Sequence, residues 1–416
     1  MTGVQHSGVT LLLFWVGVSS FASALFAGKG PDQPVGKDEI ALLIQQLGSE
    51  DYPVRERATR RLEGLSDQAL GPLRNAARTS ESPEIRLRAS RIIAAIENRS
   101  WLKCVGTSQH GGVVRTTAIS PDGKLVASGS EDGSVCLWDA DRMSLSSRLV
   151  THRSYVQSVC FSPDGQYLLV GGGSVDADKT LCLWSVKDGK EIHRFEDGDS
   201  PFHCVGFSPN GRLIIAGSGQ CSKSAQCPAT DTVVRVWDVK TGKEVRKLQG
   251  HKEPVSFVGF IGDQSILSAS IVDLHIWRNK AETPNRLQIV DAERVLCVAL
   301  SRNGKLAVTA HVDRERTLRR SLRVWDIEKC NVLRNIDYDV SEDGIPTCVA
   351  VSDDGTLLVG EQRGWITVWN VTSGNRIGRF VAHDENIVTS IQFAPNHQYM
   401  ISSSHKGDIK RWIQRK

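Results

Sequence analysis

Paired cysteines, catalytic signatures and an excess of charge of one sign are what this sequence lacks. No C-x-x-C pair occurs among its 10 cysteines, which removes the usual structural-zinc and covalent-haem signatures. Lys plus Arg number 51 against 47 Asp plus Glu, a net charge of +4 on 416 residues. So even a balance asks for neither nucleic acid nor a strongly charged membrane surface as partner. No G-x-S-x-G, H-E-x-x-H, phosphate-binding Gly-Lys loop or dinucleotide fingerprint is present, so the sequence reads as a non-enzyme without cofactor or metal. Long apolar runs are scarce too. The exception, residues 9–26, has the length of a secretory h-region, and Ala22-Ser23-Ala24 offers a small-x-small cleavage site. It also approaches the ~20 residues that span a bilayer. Residues 1–24 are therefore expected to be the signal peptide, or a membrane anchor, of an exported protein, periplasmic or secreted. The alternative is a structural envelope component tethered by an uncleaved helix over residues 9–26, the one expected route to a membrane.

What the chain does have is repetition. A tryptophan recurs as Trp138, Trp184, Trp237, Trp277, Trp325, Trp369 and Trp412, at spacings of 46, 53, 40, 48, 44 and 43. A Ser-Pro-Asp-Gly turn at residues 120–123 returns as 162–165, 208–211, 301–304 and 352–355 with one or two changes. A period of this length marks a repeat architecture. Within each copy, short apolar strands alternate with turn residues. The strand ending at each Trp alternates with period two, which predicts a strand with one face packed. Only Arg411, one residue before the last Trp, breaks its apolar pattern. One such sheet cannot bury both faces, so neighbours must stack.

The pattern resembles the WD40 family, of the bacterial exported type, over residues 101–416. Trp138-Asp139, Trp237-Asp238 and Trp325-Asp326 carry the full dipeptide; the family's His stands as His110, His152, His251 and His383. In this family that His joins an Asp before the Trp strand in a buried network with the Trp. Asp132, Asp178 and Asp231 sit six residues before their Trp, whereas Arg319, Arg363 and Lys406 hold that position elsewhere. By this reading only the first two copies keep both partners, and several blades rest on packing instead. The resemblance implies an all-β seven-bladed propeller. The segment around Cys104 precedes the first copy, and the last copy lacks a fourth strand, so closure requires the one to pair with the other.

Cys204, Cys297 and Cys348 fall four residues before the turn motif, where Thr116, Ser158 and Ser390 stand in other copies, so they read as small packing residues. Cys221 and Cys227, in a polar insertion, are the candidate disulfide, worth about 2 kcal/mol in the chain-entropy model. Residues 25–37 form a Gly/Pro/Lys linker. From 38 to 99 the period becomes helical, with helix starts at Pro53 and at Ser82-Pro83-Glu84. Two helical hairpins there resemble HEAT-type repeats. Arg55, Arg57, Arg60 and Arg61 read as solvated faces paired at i,i+4 to Glu56 and Glu63.

From the turn Gly to the Trp the first and sixth copies take 15 and 14 residues, but the second, third and fifth take 19, 26 and 21. The extra length lies in loops that emerge on one rim, which suggests a binding surface. Candidate partner-binding residues in those loops are Asp176, Arg314, Arg316, Arg319 and Arg320. WD40 relatives usually bind proteins or peptides, so the resemblance implies a non-enzymatic scaffold whose rim loops hold a protein partner. The alternative is an enzyme, or a sugar or small-ligand binder, that uses the central channel.

Overall fold

The computed structural model describes residues 37–65, 67–98, 102–150, 154–173, 179–195, 200–219, 231–278, 284–287, 293–313, 320–338 and 344–414. Residues 1–24 and 9–26, and with them the export and anchor readings, lie outside this set, as do Cys221 and Cys227. Among the described residues no helix is long and apolar enough to cross a membrane. The eight described cysteines are all free.

Seven antiparallel four-stranded sheets follow one another along the chain. The first six are continuous stretches, 114–150, 156–195, 202–249, 255–287, 293–338 and 346–381. In each, the strands lie side by side in sequence order. The first strands of successive blades touch one another around the molecule, and that of the seventh blade (Val388–Phe393) touches that of the first (Val114–Ile119). The sheets therefore form a closed seven-bladed propeller with the first strands innermost.

Stacking works because small residues face large ones across each seam. A Cβ added to Gly129 would come 2.4 Å from Val156 of the next blade, one on Gly217 2.6 Å from Val255, and one on Gly360 2.8 Å from Val388. Seams are also pinned by hydrogen bonds from the small-residue position of the first strand. Ser158 Oγ accepts the Val205 N–H at 3.2 Å, and the Cys204 and Cys348 thiols donate to the Val255 and Val388 carbonyls. Burial pushes the Cys348 thiol up to about 12, so it stays protonated and able to donate. Packing explains why the position must be small; these bonds explain why it is also polar.

The seventh blade is completed from the other end of the chain. The strand Leu102–Gln109 pairs antiparallel with the final strand (Asp408–Gln414), Cys104 opposite Trp412 and Thr107 opposite Lys410. Thr117 and Ser390 hydrogen-bond across the same seam at 2.9 Å. Arg411, the exception in the alternating pattern, stacks over Tyr399 at 4.5 Å and reaches Asp141 of the first blade at 2.9 Å. Tyr399 in turn donates to the Gly123 carbonyl, also in the first blade, at 2.7 Å. An apolar residue there would pack within one blade; arginine ties two together.

One sequence expectation needs correction. The position two before each Trp, read as an outward face, is Cys136, Cys182, Arg235, His275, Arg323, Thr367 or Lys410; the first six are buried and Lys410 is partly so. Both faces of the third strand are covered, as befits a middle strand in a stack of sheets.

Among the described residues four helices precede the propeller: α1 (Lys37–Gln46), α2 (Tyr52–Gly64), α3 (Asp67–Thr79) and α4 (Pro83–Asn98). They pair as two hairpins around Leu47, Leu62, Leu73, Ala89 and Ile92. Their entry turns match atom for atom. Arg55 donates to the Ser49 and Glu50 carbonyls at 2.6 and 2.9 Å; Arg86, 31 residues on, donates to those of Ser80 and Glu81 at 2.7 and 3.0 Å. Both arginines thus satisfy carbonyls of the turn that leads into their own helix. Pairs between helices join them, Arg61 with Glu39 and Arg88 with Glu56. α3 and α4 lie against the outer strand of the sixth blade (Arg376–Val381).

Arg411→Ala removes one cation–π contact and one ion pair at the closing seam. It is expected to cost about 1–2 kcal/mol in chemical denaturation, and an unchanged midpoint would mean that the seam does not depend on it.

Candidate interaction surface at the channel mouth

Every blade carries a β-bulge at the same point of its first strand. The pairing slips between Val114 and Thr116, Val156 and Ser158, Phe202 and Cys204, Val255 and Phe257, Val295 and Cys297, Pro346 and Cys348, and Val388 and Ser390. The residue before each slip is fully buried and the extra residue is accessible. The seven extra residues are Arg115, Gln157, His203, Ser256, Leu296, Thr347 and Thr389. A bulge is the backbone's way of re-aiming a side chain out of the ladder. Seven in register set a ring of mostly polar side chains around the inner rim.

Three members form a continuous sector. Arg115 Nη1 donates to Gln157 Oε1 across the seam at 3.2 Å, and its guanidinium pairs with Glu131 at 2.7 Å. Arg115 also lies over the half-exposed Tyr155 ring at 5.3 Å. His203 Nε2 donates to the Gly219 carbonyl at 2.7 Å; burial, with Arg115 nearby, holds its pKa below the ordinary value and the ring neutral. Glu131 and Gly219 belong to the loops between second and third strands, so this rim is the one that bears the insertions. Sequence reasoning missed the ring because a bulge leaves no residue-type signature.

The inserted loops are themselves mostly out of view. Asp176, Arg314, Arg316 and Arg319 lie outside the described residues, as do His152 and Asp178. Arg320 is described, and it corrects the expectation of an open cation: it is buried, donating to the Gly344 carbonyl at 3.4 Å.

Beneath the rim most blades are braced by buried polar groups near the Trp. In the fourth blade the Trp277 indole donates to Ser268 Oγ at 2.8 Å, Ser268 meets His251 Nε2 at 2.7 Å, and His251 Nδ1 donates to Asp273. The seventh repeats it with Trp412, Ser402, His383 and Asp408. Burial alone would raise Asp408, but the bonds from His383 and Ser404 hold it down at about 2. In the first blade Ser134 stands between His110 and Asp132, bonding them at 3.0 and 2.7 Å. The fourth and seventh copies therefore keep both partners, contrary to expectation. Their acid sits four residues before the Trp, at the head of the third strand, where the His reaches it directly.

The remaining blades were expected to rely on packing, and this too is corrected. In the third, buried Arg235 takes the place of the His and pairs with Asp231 at 2.7 Å. In the fifth, Arg323 meets Glu293 at 2.5 Å, and His311, which the sequence left unassigned, bonds Thr309, the acceptor of the Trp325 indole. In the sixth, fully buried Glu361 accepts from Arg379 at 2.7 Å and from Tyr338 of the fifth blade at 2.8 Å. The second blade has Val170 at the Ser128 position, and the Trp184 indole has no hydrogen-bond partner among the described residues.

One group has a metal-like composition: His251, Asp273 and His275 place donor atoms within 4.8 Å of one another. The two imidazoles, however, are stacked at 4.2 Å with 20° between their planes. Lone pairs lie in the ring plane, so stacked rings aim side by side instead of converging on one ion. Both His251 nitrogens are also already bonded within the blade. The group fits a structural stack better than a metal centre.

Residues 102–139, 143–185, 189–238 and 374–412 match the WD domain, G-beta repeat family. With seven four-stranded blades in a closed ring, the chain is a seven-bladed β-propeller that carries WD40 repeats. It is similar to nuclear distribution protein nudF of Aspergillus niger, 27% identical over 41% of this chain and 38% of that protein. Pre-mRNA-processing factor 19 homolog 2 of Arabidopsis thaliana is 25% identical over 45% of this chain and 35% of its own length. Small ribosomal subunit protein RACK1z of the same plant is 47% identical over 14% of this chain and 18% of its own. The chain thus spans well under half the length of these curated relatives.

Glu361→Ala leaves Arg379 buried without its carboxylate and is expected to destabilise the protein by about 3–5 kcal/mol; converting both to Leu restores most of it. Equal losses in single and double variants would contradict this. A pH dependence follows from His311, whose burial, with Arg323 beside it, holds its pKa at about 3 instead of 6.5. The unfolded chain takes up that proton first, so stability is full above pH 6.5 and falls as pH drops toward 3. His311→Gln is expected to flatten melting temperature against pH across that window; an unchanged slope would contradict it.

Proposed function

We propose that this protein is a non-enzymatic scaffold whose channel-mouth rim holds a protein or peptide partner. The observation that carries the reading is the Arg115–Tyr155–Gln157–His203 sector, an accessible arginine stacked on tyrosine on a rigid ring. Arg and Tyr are the residue types that most often dominate interface energetics. A rigid ring limits the ordering cost of binding, and loop identity supplies specificity. The relatives' names are consistent with work inside assemblies, that of RACK1z placing it in the small ribosomal subunit. In this reading the chain acts outside the cytoplasm, with residues 1–24 as its export signal or residues 9–26 as its anchor.

The test is cross-linking of the tagged full-length chain in extract of its source, followed by identification of the captured polypeptides. Arg115→Glu combined with Tyr155→Ala is expected to lose at least one partner while the melting temperature holds. An identical set of captured proteins would overturn the reading.

A further inference from the structure

The order of side chains about each rim bulge is shared by six blades and reversed in the fifth. In the six, the residue ahead of the buried one is apolar or aromatic (Val113, Tyr155, Pro201, Pro254, Ile345 or Ile387), and the extra residue is polar. In the fifth, Arg294 stands ahead of Val295, and the extra residue is Leu296. The ladder is longer there as well. Its first two strands pair on past Val295, through Arg294 with Val312 and Glu293 with Asp313, whereas the other six ladders start at the buried residue.

Leu296 is 38% exposed, in a ring whose other members are all polar. Ile387 of the seventh blade is 36% exposed, and Ile345 of the sixth is half-buried. Three consecutive blades thus offer an aliphatic arc, and the polar sector of the first three blades follows it around the ring. Charge is uneven along the arc. Arg294 is exposed, as is Arg363 in the turn whose Gln362 N–H bonds the Ile345 carbonyl at 3.0 Å. Their guanidinium groups have no partner among the described residues. The neighbouring acids in sequence, Glu293 and Glu361, are engaged with Arg323 at 2.5 Å and Arg379 at 2.7 Å. At the seventh-blade end exposed Asp384 and Glu385 outnumber Lys406, so an anion is drawn to the fifth and sixth blades instead.

We infer that the partner held at this mouth is a peptide segment with aliphatic side chains along its length and a carboxylate at one end. The aliphatic groups cover Leu296 and Ile387, removing both from water. The carboxylate lies at the fifth- and sixth-blade end, where Arg294 and Arg363 supply its counter-charge. The inference rests on the rim being the partner-binding surface, as proposed above, and adds the chemistry that the rim selects. It also fixes a direction, since an acidic end set over the seventh blade would meet Asp384 and Glu385.

The test is fluorescence anisotropy with the full-length protein and a labelled hexapeptide, two glutamates followed by alternating leucine and serine. It is expected to bind saturably, and more weakly as salt rises. Peptides with lysine in place of glutamate, or serine in place of leucine, are expected not to bind. Arg294→Ile with Leu296→Thr gives the fifth blade the order of the other six. At two exposed positions it is expected to leave the melting temperature unchanged and to weaken binding by about tenfold or more. Ile387→Ser, which leaves the fifth blade untouched, is expected to weaken it too. Failure of the glutamate–leucine peptide to bind, equal binding of the leucine-free peptide, or an affinity that neither variant moves overturns the inference. If Arg115→Glu with Tyr155→Ala still loses a captured partner while the fifth-blade variant binds the peptide as the parent does, the rim reading stands and this inference alone falls.

Discussion

One antiparallel pairing, Leu102–Gln109 against Asp408–Gln414, decides whether seven sheets make a ring or an open stack. Without it the last blade presents a bare row of backbone donors and acceptors, and the apolar groups between the seventh and first blades lose their cover. Leu102 is buried with Phe380 and Trp412, while Ile401, Ile409 and Tyr399 join Val114 and Trp138 in a second cluster across the seam. The strand therefore shields backbone polar groups and completes an apolar core at the same time. The arginine clasp to Asp141, the Thr117–Ser390 bond and the Tyr399–Gly123 bond are concentrated where the chain is not continuous. The other six junctions have chain continuity as well as side-chain bonds; this one has side-chain and strand pairing alone.

A closed ring also explains how the blades can differ so much inside. Six of them balance buried charge or polarity near the Trp strand, and several chemistries meet that need. Histidine relays it to aspartate in the fourth and seventh blades, a serine intervenes in the first, and arginine–carboxylate pairs replace the His in the third, fifth and sixth. Buried pairs of this kind contribute little net stability against apolar substitutes, yet breaking one is costly. That asymmetry keeps each blade committed to its own solution and lets the rim above it vary.

The architecture was readable in the sequence because it rests on spacing: seven tryptophans, recurring turns, and a first strand without a blade of its own. The braces were only partly readable because they rest on reach. Asp273 and Asp408 escaped a search six residues before the Trp, since a carboxylate at the head of the strand serves as well. Glu293 and Glu361 escaped because they approach from other strands, and Tyr338 because it comes from another blade. Arg411 was visible as an exception but needed Tyr399 and Asp141 beside it to acquire a meaning. The channel-mouth ring depends on where the register slips, which composition does not record. The proposed interaction surface is thus a property of pairing, and the fold a property of period.

Amide hydrogen exchange of the full-length chain resolves the closing strand directly. Ring closure predicts that residues 102–109 exchange as slowly as residues 408–414, and that both open together near the global unfolding free energy. Free-chain exchange over residues 102–109, with the last blade still protected, would contradict the closed ring.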